Sequence, residues 1–333
     1  MAKKVKIKDT DYLFLSSYIH AKEPKLVGGA RLDRMLEAKT PEDALKVLEE
    51  CGWPASDGTG MENLERLLAD RREAVFKDMS SLAPDPKIVD LFRLKYDYHN
   101  AKVLMKAAAS GVDAEEILSE SGRIPPKKLI EAVLEGNPGD LPRALAEAYA
   151  DASDTLSRTS DPQIADFIMD RAYLDEYLSL ANKTGSSFMK GYGVLLVDTA
   201  NLRSVVRAYR MKKDAEFLRK ALVSGGTVDA GQILSAYDSP ADVLNVFKGT
   251  GLEKVLEEAE RAMGGGRLTL FEKLCDEVLS EYMSRAKMES FSEKPLIRYL
   301  WAVEAEISAV RIIMAGHYNG LPAESIKERL RGI

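Results

Sequence analysis

The sequence predicts an all-α protein assembled from three helical repeats. Three observations carry this expectation. One helical pattern is written three times, apolar residues follow helical spacing along the chain, and alternating β-branched runs closed by hairpin turns are absent. The repeated pattern places an acid first, a small or amide residue three positions later, and a base two positions after that. It reads Asp97, Asn100, Lys102 in the first copy, Asp198, Asn201, Arg203 in the second, and Glu306, Ala309, Arg311 in the third. Successive acids are 101 and 108 residues apart. A fixed internal period marks a molecule built from copies of one unit.

The elements follow in order. Near the start, Thr40-Pro41-Glu42-Asp43 opens a short helix: a hydroxyl cap, a proline with no amide to lose, and a carboxylate facing the positive helix end. Ser239-Pro240-Ala241-Asp242 repeats this signal. Both helices are expected to stop at a glycine, Gly52 and Gly251, because glycine closes a helix in the left-handed conformation at little cost. Long helices are expected at Met61 to Met79, Lys87 to Ala109, Asp161 to Asn182, Ser187 to Met211, Leu268 to Lys287 and Pro295 to Ala315.

Three of these carry the signature. The first has apolar residues at Leu91, Leu94, Tyr98, Ala101 and Met105. The same stripe returns as Tyr192, Leu195, Thr199, Leu202, Val206 and as Leu300, Val303, Ile307, Val310, Met314. Each is an amphipathic helix that packs through one face. Proline and glycine clusters separate the helices, among them Pro84 and Pro86, Pro125 and Pro126, and Gly264 to Gly266. The expected division is 1–113, 114–213 and 214–333, one repeat each.

Composition narrows the function. Forty-seven basic against 53 acidic residues leave a net charge of −6, with no long basic run among aromatics, so nucleic-acid binding is not expected. The start, Met1 to Lys8, is basic but no apolar run of signal-peptide type follows it. The longest charge-free apolar stretches, such as Gly191 to Val197, are far short of the roughly 20 residues a bilayer needs. Cys51 and Cys275 read as reduced, buried thiols. Met105, Met211, Met288 and Met314 read as core filler. The basic groups Arg66, Arg71, Arg72 and Lys212, Lys213 read as solvated helix faces.

The signals of catalysis are missing. No Gly-Lys dipeptide exists to build a phosphate loop, and no Gly-x-Ser-x-Gly elbow occurs. His20, His99 and His317 stand in no metal-ligand spacing; His317 follows Gly316, which reads as a helix stop. No catalytic, cofactor-binding or metal-binding residue is assigned. The repeated acids admit two readings. Asp97, Asp198 and Glu306 could gather as an acidic cluster, or each could serve its own helix, Asp97 bonding Asn100 and Asp198 bonding Asn201 across one turn. Lys102, Arg203 and Arg311 lie about 140° around the helix from their acids, so the neighbouring helix of the same repeat is their expected partner. The structural reading is preferred for all eight residues, since the third copy has Ala309 where a metal site would keep its amide.

Several segments resemble one family: Asp97 to Leu104, its copy Asp198 to Arg203, the ending Gly316 to Glu324, the opening Tyr12 to Ile19 and the connector Leu32 to Gly52. In order and spacing they are similar to the C subunit of bacterial and archaeal V-type/A-type ATPases, the counterpart of the d subunit in the eukaryotic vacuolar enzyme. The resemblance covers essentially the whole chain. It implies a funnel of three pseudo-threefold-related helical units with no catalytic site and no cofactor. It implies a rotor part at the cytoplasmic face of the membrane, one copy per complex and a monomer when isolated. There it would couple the central shaft subunits to the membrane rotor ring, in ATP-driven ion transport or in ATP synthesis. No contact residue for either partner is transferred. Two other readings stand beside it: a helical scaffold that holds a peptide or helix of an unrelated complex, and an enzyme whose three acids converge in one cleft.

Overall fold

The computed structural model describes residues 7–55, 58, 60–134, 141–288 and 291–330. The basic run at residues 1–6 lies outside them, as do the surroundings of the Met288 side chain. Sixteen α-helices and no strand occur among the described residues. In chain order they are α1 (Leu13–Lys22), α2 (Gly29–Leu36), α3 (Pro41–Glu50), α4 (Met61–Leu82) and α5 (Lys87–Ser110). Then come α6 (Pro126–Leu134), α7 (Arg143–Thr159), α8 (Pro162–Thr184), α9 (Ser187–Arg210), α10 (Ala215–Ala221) and α11 (Ala230–Ser235). The last are α12 (Pro240–Val246), α13 (Glu253–Met263), α14 (Leu268–Ser284), α15 (Lys294–Tyr318) and α16 (Ala323–Lys327). The protein is all-α.

The caps are where the chain signals them. Thr40 Oγ1 accepts the Asp43 amide at 3.1 Å and Ser239 Oγ the Asp242 amide at 3.4 Å. Asp161, expected as the first residue of a long helix, is instead its N-cap, accepting the Gln163 amide at 2.9 Å ahead of Pro162. Gly52 closes α3 with φ +83°, as expected. α12 ends earlier than expected, at Val246, and a series of turns carries the chain through Gly249 to Gly251.

The chain divides into two compact units, residues 1–89 with 283–333 and residues 90–282. In the first, α15 packs on α4, α1 and α16 over a core that includes Met35, Leu68, Phe76 and Tyr299. The second holds α8 against α7 and α9 over a core that includes Met169, Val197 and Phe271. One signature helix, α15, belongs to the first unit. The other two, α5 and α9, lie in the second, apart from the opening turn of α5.

The three signature helices are 24, 24 and 25 residues long, about 36 Å each at 1.5 Å per residue. They also end alike. Val112, Lys213 and Leu321 donate their amides to Ala107, Ala208 and Gly316 at 3.1, 2.9 and 2.9 Å. These are the six-residue closures of a Schellman end, and the residue inside each is left-handed: Gly111 at φ +67°, Lys212 at +53°, Gly320 at +65°. Only the second copy puts a side chain at this position, where a Cβ crowds the following carbonyl. Lys212→Gly should therefore raise the stability of the second unit by about 0.5 kcal/mol after the extra chain entropy of glycine. Thermal melting would rise by roughly 1–2 °C, and a lower midpoint would refute the account of this helix end.

Gly316 corrects an expectation. It does not stop α15, which continues to Tyr318. A Cβ at Gly316 would lie 2.4 Å from Ile326 Cγ1, so the missing side chain makes room for α16. The stop is Gly320, four residues later. Met105 and Met314 are core residues, whereas Met211 is exposed.

Candidate functional site: the repeated clamp

The signature acids and amides do not bond each other across a helix turn. Each reaches instead to backbone in a connecting segment. Asn100 donates from Nδ2 to the Ser119 carbonyl and accepts the Ser119 amide, both at 2.8 Å. Asn201 does the same with Val223, again at 2.8 Å in both directions. Asp97 Oδ1 accepts the Ile124 amide at 3.0 Å. Asp198 Oδ1 accepts the amides of Thr227 at 2.8 Å and Val228 at 3.3 Å. All four side chains are fully buried. One side chain that offers both a donor and an acceptor can satisfy both polar groups of a peptide unit, which otherwise would be costly to bury.

The two clamps have one geometry. The sequence separation from asparagine to its partner is 19 in the first copy and 22 in the second. From aspartate to its partner amide it is 27 and 30. Both contacts shift by the same three residues, so the extra length precedes the clamped stretch and leaves that stretch unchanged. Glycine makes the approach possible. A Cβ at Gly122 would lie 2.5 Å from Asp97 Oδ1, and one at Gly226 2.3 Å from Asp198 Oδ1.

The third copy achieves a similar hold with other residues. Glu306 Oε2 accepts the amide of Val27 at 2.6 Å and Oε1 accepts Arg71 Nε at 3.2 Å. The longer glutamate supplies the reach, and Ala309 contributes no second bond. The segment caught here is N-terminal, so the clamp of the last long helix holds a part of the chain made first.

Charge compensation differs among the copies. Arg123 Nε donates to Asp97 Oδ2 at 2.6 Å and its Nη2 to Glu176 at 2.9 Å, while Tyr98 gives its hydroxyl to Glu176 at 2.8 Å. Burial pushes the Asp97 carboxyl above the ordinary carboxylate value, and Arg123 and the Ile124 amide pull it back. Glu306 is raised in the same way, by burial against the opposing pull of Arg71 and Val27. For both, loss of water outweighs the facing cation.

The signature bases meet carboxylates on a neighbouring long helix, but in each case one beyond the expected repeat boundary rather than one within the same repeat. Lys102 pairs with Asp170 of α8 at 2.7 Å. Arg203 pairs with Glu272 and Asp276 of α14 at 2.7 and 2.5 Å. Arg311 grips Glu65 of α4 with two bonds at 2.6 and 2.7 Å. A second rung repeats the first, Lys106 to Asp166 and Arg207 to Glu272, at 2.8 and 2.7 Å. Several of these groups are a third or more exposed, and such pairs contribute about 0–1 kcal/mol each. They set which helix lies beside which; the buried clamps hold the connectors.

Two basic residues differ from their expected place. Arg72 is buried and pairs with Glu304 at 2.9 Å, and Arg71 joins Glu306 while its guanidinium lies over the Trp53 ring. A run of charges on α4 thus reads as solvated only until its partners on α15 are in place. Lys212 and Lys213 are exposed. His99 is exposed, and His317 Nε2 lies 2.7 Å from the Met35 carbonyl. Both cysteines are free and buried, and burial pushes the Cys275 thiol up to about 12.

In chemical terms the arrangement holds rather than reacts. Both oxygens of Asp97, Asp198 and Glu306 accept hydrogen bonds from their own surroundings. Among the described residues no group of three or more His, Cys, Asp or Glu could hold a metal ion, and no helix is long and apolar enough to cross a membrane.

Known proteins are similar to this chain along nearly its whole length. The model of the ATP synthase (C/AC39) subunit family matches residues 15–329. The C subunit of the V-type sodium ATPase of Enterococcus hirae is 23% identical, over 97% of this chain and 99% of the relative. The C subunit of the A-type ATP synthase of Methanocaldococcus jannaschii is 26% identical, over 96% and 86%. Its namesake from Thermococcus onnurineus is 24% identical, over 96% and 90%. From its first helix to its last, the chain belongs to the ATP synthase (C/AC39) subunit family.

Proposed function

We propose that this protein is a non-catalytic central-stalk subunit of a rotary V/A-type ATPase. In that role it is a socket that couples the central shaft to the membrane rotor ring, during ATP-driven ion transport or ATP synthesis. The observation that carries this reading is the family match along nearly the entire chain, with relatives named as the C subunits of V-type and A-type enzymes. The position that follows is peripheral, at the cytoplasmic face, with the shaft subunits and the ring as partners and one copy per complex.

The local architecture supports a mechanical role. A part that passes torque needs members that resist bending and joints that do not slip. Three helices of about 36 Å supply the members. At the joints, Asp97, Asn100, Asp198, Asn201 and Glu306 tie connector backbone to helix, and Lys102, Arg203 and Arg311 tie helix to helix. We assign all eight to architecture. The three repeats would then be struts of one funnel about a pseudo-threefold axis. Boundaries at 113 and 213 separate each base from its partner, so each repeat is better drawn from a signature helix through its clamped connector to the next long helix. The third repeat closes through the N-terminal residues.

Co-expression with the shaft and ring subunits tests the reading. The chain should co-purify with both, and the chain alone should hydrolyse no ATP. Purification with neither partner would overturn it in favour of a scaffold for an unrelated complex.

A further inference from the structure

The end of α9 departs from two local rules at consecutive residues. Lys212 is left-handed, with φ +53°, where the other two signature helices have Gly111 and Gly320. Lys213 follows at the position that often carries an apolar residue packing back onto its helix, and where the other copies have Val112 and Leu321. Glycine would remove the crowding of the Lys212 Cβ against the following carbonyl, and the same closure forms with an aliphatic residue in the next place. The second copy gives up both for lysine.

The fold makes no use of the first of these side chains. Lys212 is exposed, and its amine has no ion pair or hydrogen bond among the described residues. Lys213 is exposed but steadied, its Nζ lying 5.1 Å over the Phe217 ring, which meets Phe167 edge-on at 5.5 Å. Met211, 41% exposed, precedes them. The charged neighbours are occupied. Asp214 accepts the Phe217 amide at 2.8 Å as the cap of α10, and Glu216 pairs with Arg219 at 3.3 Å. Arg210 is turned to the carbonyls of Gly266 and Ala262. The Tyr209 hydroxyl, pushed up by burial and then by Asp238 and Asp242, donates to the Tyr237 carbonyl.

A strained backbone position kept where a less strained residue serves twice points to a use for its side chain. We propose that Met211, Lys212 and Lys213 form a contact site for a carboxylate-bearing segment of a protein partner. The two amines donate to its Asp or Glu side chains, and the flexible thioether of Met211 covers apolar atoms beside them. A protein segment fits better than an anionic membrane, which is met by clusters of roughly four to eight bases, whereas Asp214 and Glu216 follow these two directly. The inference rests on the chemistry of the contact and does not depend on which complex the chain joins.

Carbodiimide joins a carboxylate to an amine in contact with it, and so tests the site in the complex captured on the tagged full chain from its own cells. Mass spectrometry should locate bonds from the Lys212 or Lys213 amine to an Asp or Glu of another protein. Lys212→Gly should weaken the complex about tenfold even though that variant melts higher, a split that a purely structural lysine would not produce. Lys212→Asn, whose short side chain tolerates the left-handed conformation, should weaken it as glycine does, and Lys212→Arg should keep the affinity. Links confined to lysines elsewhere would overturn the proposal, as would capture of no partner, or a Lys212→Gly chain that binds as tightly as the parent. Links from these two lysines to a protein of no rotary ATPase would sink the rotary assignment and leave this one standing.

Discussion

Asn201→Leu is expected to destabilise the second unit by about 4 kcal/mol. The side chain is fully buried and holds both polar groups of Val223 at 2.8 Å. Leucine fills a similar volume but offers neither donor nor acceptor, so an amide and a carbonyl lose their partners inside the core. Each such group costs about 1–3 kcal/mol, which places the sum near the middle of a range of roughly 2–6 kcal/mol. Neighbouring Val223 and Val197 share an apolar cluster with Leu174, so water has little access to repair the loss. Melting of the second unit should fall by roughly 8–16 °C. Hydrogen exchange gives the sharper readout: the Val223 amide should lose protection before the amides of α9. Unchanged protection at Val223 would show that the clamp is incidental.

Glu306→Ala should cost the first unit a comparable amount, about 3–5 kcal/mol, because it leaves Arg71 facing no carboxylate and the Val27 amide without an acceptor. Glu306→Gln should be far milder. It keeps an acceptor for Val27 and removes a carboxylate that burial already disfavours. The pH dependence follows from the direction of that shift. The folded carboxyl binds its proton more tightly than the unfolded one, so between the two values the folded state holds more protons and stability falls as pH rises. Glutamine carries no such dependence. The stability of Glu306→Gln relative to the parent should therefore improve as pH rises from about 4 to about 8, measured by denaturant titration at each pH. A relative decline over that range would mean that Arg71 outweighs burial.

These contacts show what the sequence yields and what it withholds. Helix starts are legible because a cap is local: Thr40 and Ser239 each bond an amide three residues away. The signature helices are legible because their stripe repeats. The partners of Asp97 and Asn100 are not, because they lie 27 and 19 residues further along and depend on how the connector folds back. One signal was available: Gly122 and Gly226 follow their acids at nearly equal distance, where only a residue without a Cβ permits the approach. The third clamp gives no such signal, since Glu306 and Val27 lie 279 residues apart. Arg71 and Arg72 show the same limit. A charge pattern on one helix cannot tell a solvated face from one met by Glu304 and Glu306 of another.

Gly316 shows a different one. Glycine near a helix end reads as a stop, yet its lack of a side chain serves packing against Ile326, and Gly320 performs the stop. The αL residue of each signature helix distinguishes the two roles, and it requires the backbone to be seen.

The central claim is that this chain joins a turning shaft to a membrane ring. A cross-linking map of the assembled complex, read by mass spectrometry, tests it most directly. The account predicts links from this chain to both the shaft and the ring, through separate sets of residues. Links to stationary subunits alone, with none to shaft or ring, would contradict it.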